Sequence, residues 1–345
     1  MLSITTISLL FAGISLAAPA TTTTTEVNGI YLNKCSSPRV RKSWQSLNTT
    51  EKKANIDAEL CLQKLPADLG IRGAETKFDE LQSVHASQTE NIHWDEVTDA
   101  ENILGSDLLD PVTGFGGNGN GTLGCVVDGP FTNHTVAIGP GYTIAPNCIT
   151  RAVSDEGESG VAQHGSDPIV VAACMAPTNF VDFWHCVEAG PHSFGHGGVW
   201  GLMVDTVASP GDPIFYMHYG FLDKLWADWQ ENDTSTRYTE IGGNNVLNFS
   251  YPFPSGHIVD IEGLNITSEL PRTLPAYDGT NLEAILAAIF GAARPADVPA
   301  PKTMGDPGSE VTLTHQLTSY GILPDLTIAD IMDTKNSYLC YAYDS

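Results

Sequence analysis

Apolar residues recur at helical spacing in several stretches of the chain. Phe78, Leu81, His85 and Ile92 fall on one face and predict a helix over 76–92 that carries a histidine into the core. Further on, Phe215, Tyr219, Leu222, Trp226 and Trp229 form the stripe of an amphipathic helix. Asp212 as N-cap and Pro213 at the first helical position start that helix, which runs to about Trp229. An earlier helix is predicted over 48–65, with capping residues Asn48 to Thr50 ahead of it and Pro66 closing it. Pro191 and His192 place another helical segment, and 282–293 reads as a short apolar helix.

Between these periodic stretches the pattern breaks. Residues 104–142 are rich in Gly, Asn and Pro, with 114–121 reading as loop, and predict a long glycosylated surface excursion. Thr21 to Thr25 form a polar low-complexity link expected to be a flexible spacer. From Asn232 onward, proline and glycine punctuation dominates. With no repeats and no linker to a second domain, residues 19–345 are expected to form a single domain.

Composition narrows the setting. Lys and Arg number 16 against 41 Asp and Glu, a net charge of -25. A field of that sign repels nucleic acid and anionic membrane surfaces, so neither is an expected partner. The opening MLSITTISLLFAGISLAA, residues 1–18, is apolar, too short to span a bilayer and closed by small residues. It reads as a signal peptide, although no Lys or Arg stands near Met1. Export is also the reading of the sequons at Asn48, Asn120, Asn133, Asn232, Asn248 and Asn265. In an oxidising compartment the 7 cysteines pair, and the odd number leaves one over.

Candidate chemistry lies in the histidines, of which there are 10. His192 and His196 are four apart, so on a helix they share a face and can chelate one ion. An isolated pair at this spacing is more often a set of satisfied core or surface histidines. Zinc-protease chemistry is excluded at this pair, because Ser193 stands where the catalytic Glu of a His-Glu-x-x-His motif belongs. Imidazole ligation in an oxidising compartment suits copper, and zinc nearly as well.

Four segments, SPRVRKSWQSL, FDELQSVHASQTENIH, GPHSFGHGGVWGLM and above all DPIFYMHYGFLDKLWADWQ, resemble the secreted fungal tyrosinase and catechol oxidase family. The resemblance implies a mainly α fold: a four-helix-bundle copper core with long irregular loops and little β. It implies two coppers, three histidines each, oxidising small phenols or o-diphenols to quinones with dioxygen. Carried over by position, His85 and His93 match the first two ligands of one copper, and His192 and His196 the first two of the other. Glu188, four residues before His192, sits where it can act in catalysis by orienting a ligand or a bound water, and an acid near a helix start is also a common dipole partner. The resemblance also implies that Arg39 and the terminal Tyr341-Ala342-Tyr343 pair to close the domain. Ser193 and Gly197 follow the second-site ligands and offer no basic side chain, which leans the substrate towards diphenols.

Two departures stand against that pattern. In relatives a helix bearing Trp-His-Arg, the source of a third ligand, separates the equivalents of His93 and Trp94; here the two are adjacent, so one core helix is deleted and one copper or fewer is expected. Relatives also read His-His where this chain reads His218-Tyr219, with the second as ligand. One residue along a helix turns a side chain by about 100°, so His218 is a candidate ligand only if the helix is rotated. Tyr219 either ligates as a phenolate or packs. The rival to an oxidase is a non-catalytic secreted descendant that binds one metal ion or none.

Overall fold

The computed structural model describes residues 24–27, 30–33, 35–71, 73–83, 92–120, 124–154, 164–205, 207–243, 310–317, 321–322, 324–336 and 338–344. The signal segment, His85, the apolar stretch 282–293 and the sequons at Asn248 and Asn265 lie outside them. The architecture is mainly helical with little strand, as expected.

In chain order, β1 (Thr24–Val27) and β2 (Ile30–Asn33) form an antiparallel hairpin. Thr24 and Thr25 are therefore paired strand and not spacer, in keeping with the β preference of branched threonine. After β3 (Arg39–Ser43) comes α1 (Thr49–Leu62). Asn48 Oδ1 accepts the N–H groups of Thr50 and Glu51 at 2.9 and 3.0 Å, and the Glu51 carboxylate accepts the Asn48 N–H at 2.9 Å, a reciprocal cap. Next stand α2 (Lys77–Ser83), β4 (Ile92–His93) and α3 (Glu96–Asp99). The predicted helix over 76–92 thus holds as far as the described residues run, to Ser83, but Ile92 is strand. It pairs with Lys42, and this long-range pairing overrides the local periodicity.

Strands β5 (Thr135–Ile138) and β6 (Ile144–Cys148) pair antiparallel. They belong to a segment that corrects a second expectation. The Gly-rich region is no surface excursion, since Leu108, Phe115, Val126, Phe131 and Val136 lie in the main core. Gly116 and Gly129 explain how: both take positive φ and approach so closely that a Cβ on Gly129 would lie 2.6 Å from the Cα of Gly116. The backbone doubles back there, and Phe115 stacks on Phe131 at 5.7 Å.

The chain continues through α4 (Pro168–Met175), α5 (Phe180–Val187), α6 (Ser193–Val199) and α7 (Ile214–Glu231). Asp212 and Pro213 do start α7, with Asp212 Oδ1 accepting the Ile214 N–H at 3.0 Å. Its buried stripe is set differently from the predicted one. Ile214, Met217, His218, Phe221, Leu225 and Trp229 are buried, while Tyr219, Leu222 and Trp226 are half-buried. The helix is rotated by about one residue because both of its ends insert into apolar clusters. Residues 214–217 join the main core, and Phe221, Leu225 and Trp229 join a second cluster with Phe183 of α5. His218 falls between the two.

After β7 (Gln316–Leu317) and β8 (Leu326–Thr327) comes β9 (Tyr341–Tyr343). A parallel sheet of order β4-β3-β9 joins the two ends of the chain, and Arg39 pairs with Tyr341 in register. The side chain that closes this junction is that of Arg41. Its guanidinium lies 3.2 Å from the Tyr341 ring centre and donates to Asp223 of α7 at 3.1 Å. Disulfides join Cys35 to Cys340, Cys125 to Cys148 and Cys174 to Cys186, leaving Cys61 free, as the odd count implies. Among the described residues no helix is long and apolar enough to cross a membrane.

Candidate metal centre

The run from Phe180 to Val199 is helical throughout but widens at Glu188–His192 into a π turn containing Pro191. Proline has no N–H to continue an α ladder, and such widened turns re-aim side chains. His192 at the end of this turn and His196 one turn on share a face, with ring centres 4.8 Å apart. The middle of α7 lies across that face and adds His218, 4.7 Å from the His196 ring and 5.8 Å from that of His192. One ligand atom from each of His192, His196 and His218 lies within 4.8 Å of the others. Donors on a single ion stand roughly 3 Å apart, so the rings close inward when an ion binds.

The far sides of the rings are anchored. His196 Nδ1 donates to the Met203 carbonyl at 2.6 Å, which leaves Nε2 as its lone-pair nitrogen. His218 Nδ1 bonds Glu96 Oε1, and Ser166 donates to the other oxygen of Glu96 at 2.6 Å. His218 Nε2 is fully buried and has no hydrogen-bond partner. A buried polar atom left without a partner is costly, and this one belongs to a ring of the histidine group. Burial drives the Glu96 carboxyl well above its usual range and His218 well below its own, so without a cation the pair is uncharged. A cation bound to His218 would reverse that preference, with Glu96 accepting the Nδ1 proton.

At the outer edge, Tyr219 and His192 hydrogen-bond through the phenol and Nε2 at 3.0 Å. Burial, and next the charge of Glu188, hold the Tyr219 phenol far above its ordinary pKa, so it is the donor. Glu188 Oε2 lies 3.3 Å from His192 Nδ1 without hydrogen-bond geometry, its side chain 51% exposed. Behind the group, Trp94, Glu96, Asp99, Ser166, Gly195 and neighbours enclose only about 10 Å³, space for a single water. Among the described residues, the group reaches the surface on the side of His192, Glu188 and the exposed Ser193.

Of the residues singled out from the sequence, the structure brings together His192, His196 and His218, with Glu188 at their edge. His93 lies elsewhere, in β4. Its Nε2 is 3.9 Å from Asp344 and its ring packs edge-on to Tyr343 at 5.1 Å. Desolvation lowers its pKa to about 4. His85 lies outside the described residues. Sequence reasoning missed Glu96, whose only signal was its place two residues after Trp94.

The donor set fits copper: three imidazoles, His196 with its tautomer fixed by the Met203 carbonyl and His218 held by Glu96, and a buried His218 nitrogen without a hydrogen-bond partner.

Comparison with known proteins agrees. Residues 74–232 match the family model described as the common central domain of tyrosinase. The chain is 26% identical over 359 residues to tyrosinase-like protein phomQ1 of Diaporthe leptostromiformis, covering 90% of this chain and 79% of the relative. It is 28% identical over 347 residues to tyrosinase ustQ of Aspergillus flavus, covering 90% of this chain and 80% of that one. Its fold is similar to that of a polyphenol oxidase variant from Thermothelomyces thermophila, with TM-score 0.62, 20% identity and 89% of each chain covered. Residues 74–232 thus match the common central domain of tyrosinase, and the chain as a whole is similar to fungal tyrosinase-like proteins.

Proposed function

We propose that the chain is a secreted copper oxidoreductase that takes one copper at His192, His196 and His218 and oxidises o-diphenols to quinones. The observation that carries this reading is the convergence of three imidazoles on one point, with His218 Nε2 buried and unpartnered. Two diphenols give up four electrons and four protons in all, and one dioxygen takes them to become two waters. Copper, when bound, supplies the electron transfer between diphenol and dioxygen. The chain's own residues do the rest. Met203 and Glu96 hold the ring orientations, the inner pocket has space for no more than about one water, and a flat ring approaches at the partly exposed His192. Glu188, at that mouth, is placed to accept a substrate hydroxyl proton. Secretion is supported by the leader-like start, the three disulfides and the exposure of Asn48, Asn133 and Asn232.

The placement of His93 against Asp344 favours a second reading, a single-metal protein without turnover. Oxygen uptake by the copper-loaded chain with catechol separates the two. Bound copper with catechol-dependent uptake supports the oxidase, bound copper without uptake supports the second reading, and no bound copper defeats both.

A further inference from the structure

We infer that the Tyr219 phenol oxygen is a fourth donor to the metal held by His192, His196 and His218, making this a three-imidazole, one-phenolate site. The inference rests on the metal reading above and goes beyond it by naming a ligand of a different chemical kind.

Three observations carry it. The Tyr219 oxygen stands 3.0 Å from His192 Nε2. Two donors on one ion, each at about 2.0–2.1 Å and separated by anything from a right angle to a tetrahedral angle, stand about 2.8–3.4 Å apart. The tyrosine oxygen is therefore already spaced as a co-ligand of His192, before any ring has moved. Its ring also faces the other imidazoles, with centres 5.8 Å from His196 and 5.3 Å from His218. Finally, the ring is held in this pose by stacking on Phe215 at 4.2 Å, so the oxygen has little freedom to swing away. His218 and Tyr219 are adjacent on α7, and the group sits between the two directions they take. His218 reaches it from the buried side and Tyr219 from the outer side.

In the metal-free chain the Tyr219 O–H donates to the lone pair of His192. On binding, an ion would take that lone pair and replace the phenolic proton, which would leave to solvent. An anionic oxygen donor favours copper(II) over copper(I), so this site holds the oxidised ion more firmly than three imidazoles alone would.

The test is titration of the metal-free full chain with copper(II), followed by visible absorption and by electron paramagnetic resonance. The expected result is a phenolate-to-copper(II) charge-transfer band that grows with bound copper. The band is lost completely in Tyr219→Phe, which still binds copper through nitrogen, and is kept in Tyr216→Phe. If Tyr219→Phe does not fold, Tyr219→His serves in its place: bound copper without the band supports the inference. Nitrogen-ligated copper with no band in the unaltered chain overturns it and leaves the three-histidine site standing. A band that persists in a folded Tyr219 variant overturns it as well. Absence of any bound copper in the unaltered chain overturns both the inference and the metal reading beneath it.

Discussion

The ring of His218 fills the space that a side chain on Gly195 would occupy, so that a Cβ there would fall within contact of both Nδ1 and Cε1. Gly195 lies inside α6, where replacing glycine by alanine ordinarily stabilises a helix by about 0.5–1 kcal/mol. Here the added methyl displaces the buried His218 ring. Gly195→Ala is expected to weaken copper binding at least about tenfold, by the measure of disturbed ligand support, while the fold survives. Isothermal titration with copper(II) checks this, and an unchanged affinity would show that His218 is not a ligand.

Glu96 holds His218 from behind. Glu96→Gln keeps the shape but removes the carboxylate that accepts the Nδ1 proton once a cation sits on Nε2. Copper affinity is expected to fall by about 10–100-fold, with the circular dichroism spectrum unchanged. Equal affinities would mean that the Glu96–His218 contact serves packing alone.

Arg151 and Asp212 are both 0% exposed and joined by two bonds of 2.7 and 2.8 Å. The remaining guanidinium donor goes to the carbonyls of Phe115 and Gly116 at 3.0 and 2.7 Å. This network ties the Gly-rich segment to the start of α7. Arg151→Met leaves a buried carboxylate without its partner, and the expected loss is about 3–5 kcal/mol of stability. Urea unfolding followed by tryptophan fluorescence measures it; a loss below about 1 kcal/mol would mean that Asp212 finds water or another donor.

His93 is buried neutral, with its pKa lowered to about 4 by desolvation. In the unfolded chain the ring titrates near 6.5. Between those values the unfolded state binds the extra proton, so stability rises with pH across the window and is lost as pH falls through it. The full loss from this one group is up to about 3 kcal/mol. His93→Leu should therefore show a shallower decline in urea midpoint between about pH 7 and about pH 4.5 than the unaltered chain. Parallel declines would rule His93 out as a source of acid sensitivity.

Much of the helical frame was legible because its signals are local. The Asn48 cap and the Asp212-Pro213 start act within a few residues, and the structure has helices beginning at both. The four-residue step from His192 to His196 likewise needs only a helix. The rotation of α7 was not legible, because it is set by two apolar clusters drawn from distant segments. That rotation is what buries His218 while keeping Tyr219 at the same group. The core role of Phe115 and Phe131 was hidden for a similar reason: glycines that read as loop provide the backbone doubling that turns both rings inward. Glu96 and Arg41 carry no motif of their own, and their partners His218 and Asp223 lie far along the chain.

His192, His196 and His218 are proposed to hold one copper ion together. Metal analysis of the purified chain after copper loading and removal of loosely bound ion, run beside His218→Ala, tests it most directly. The expected result is one copper per chain, lost in His218→Ala with the fold retained. Copper retained at the same level in His218→Ala, or none bound by the unaltered chain, would contradict it.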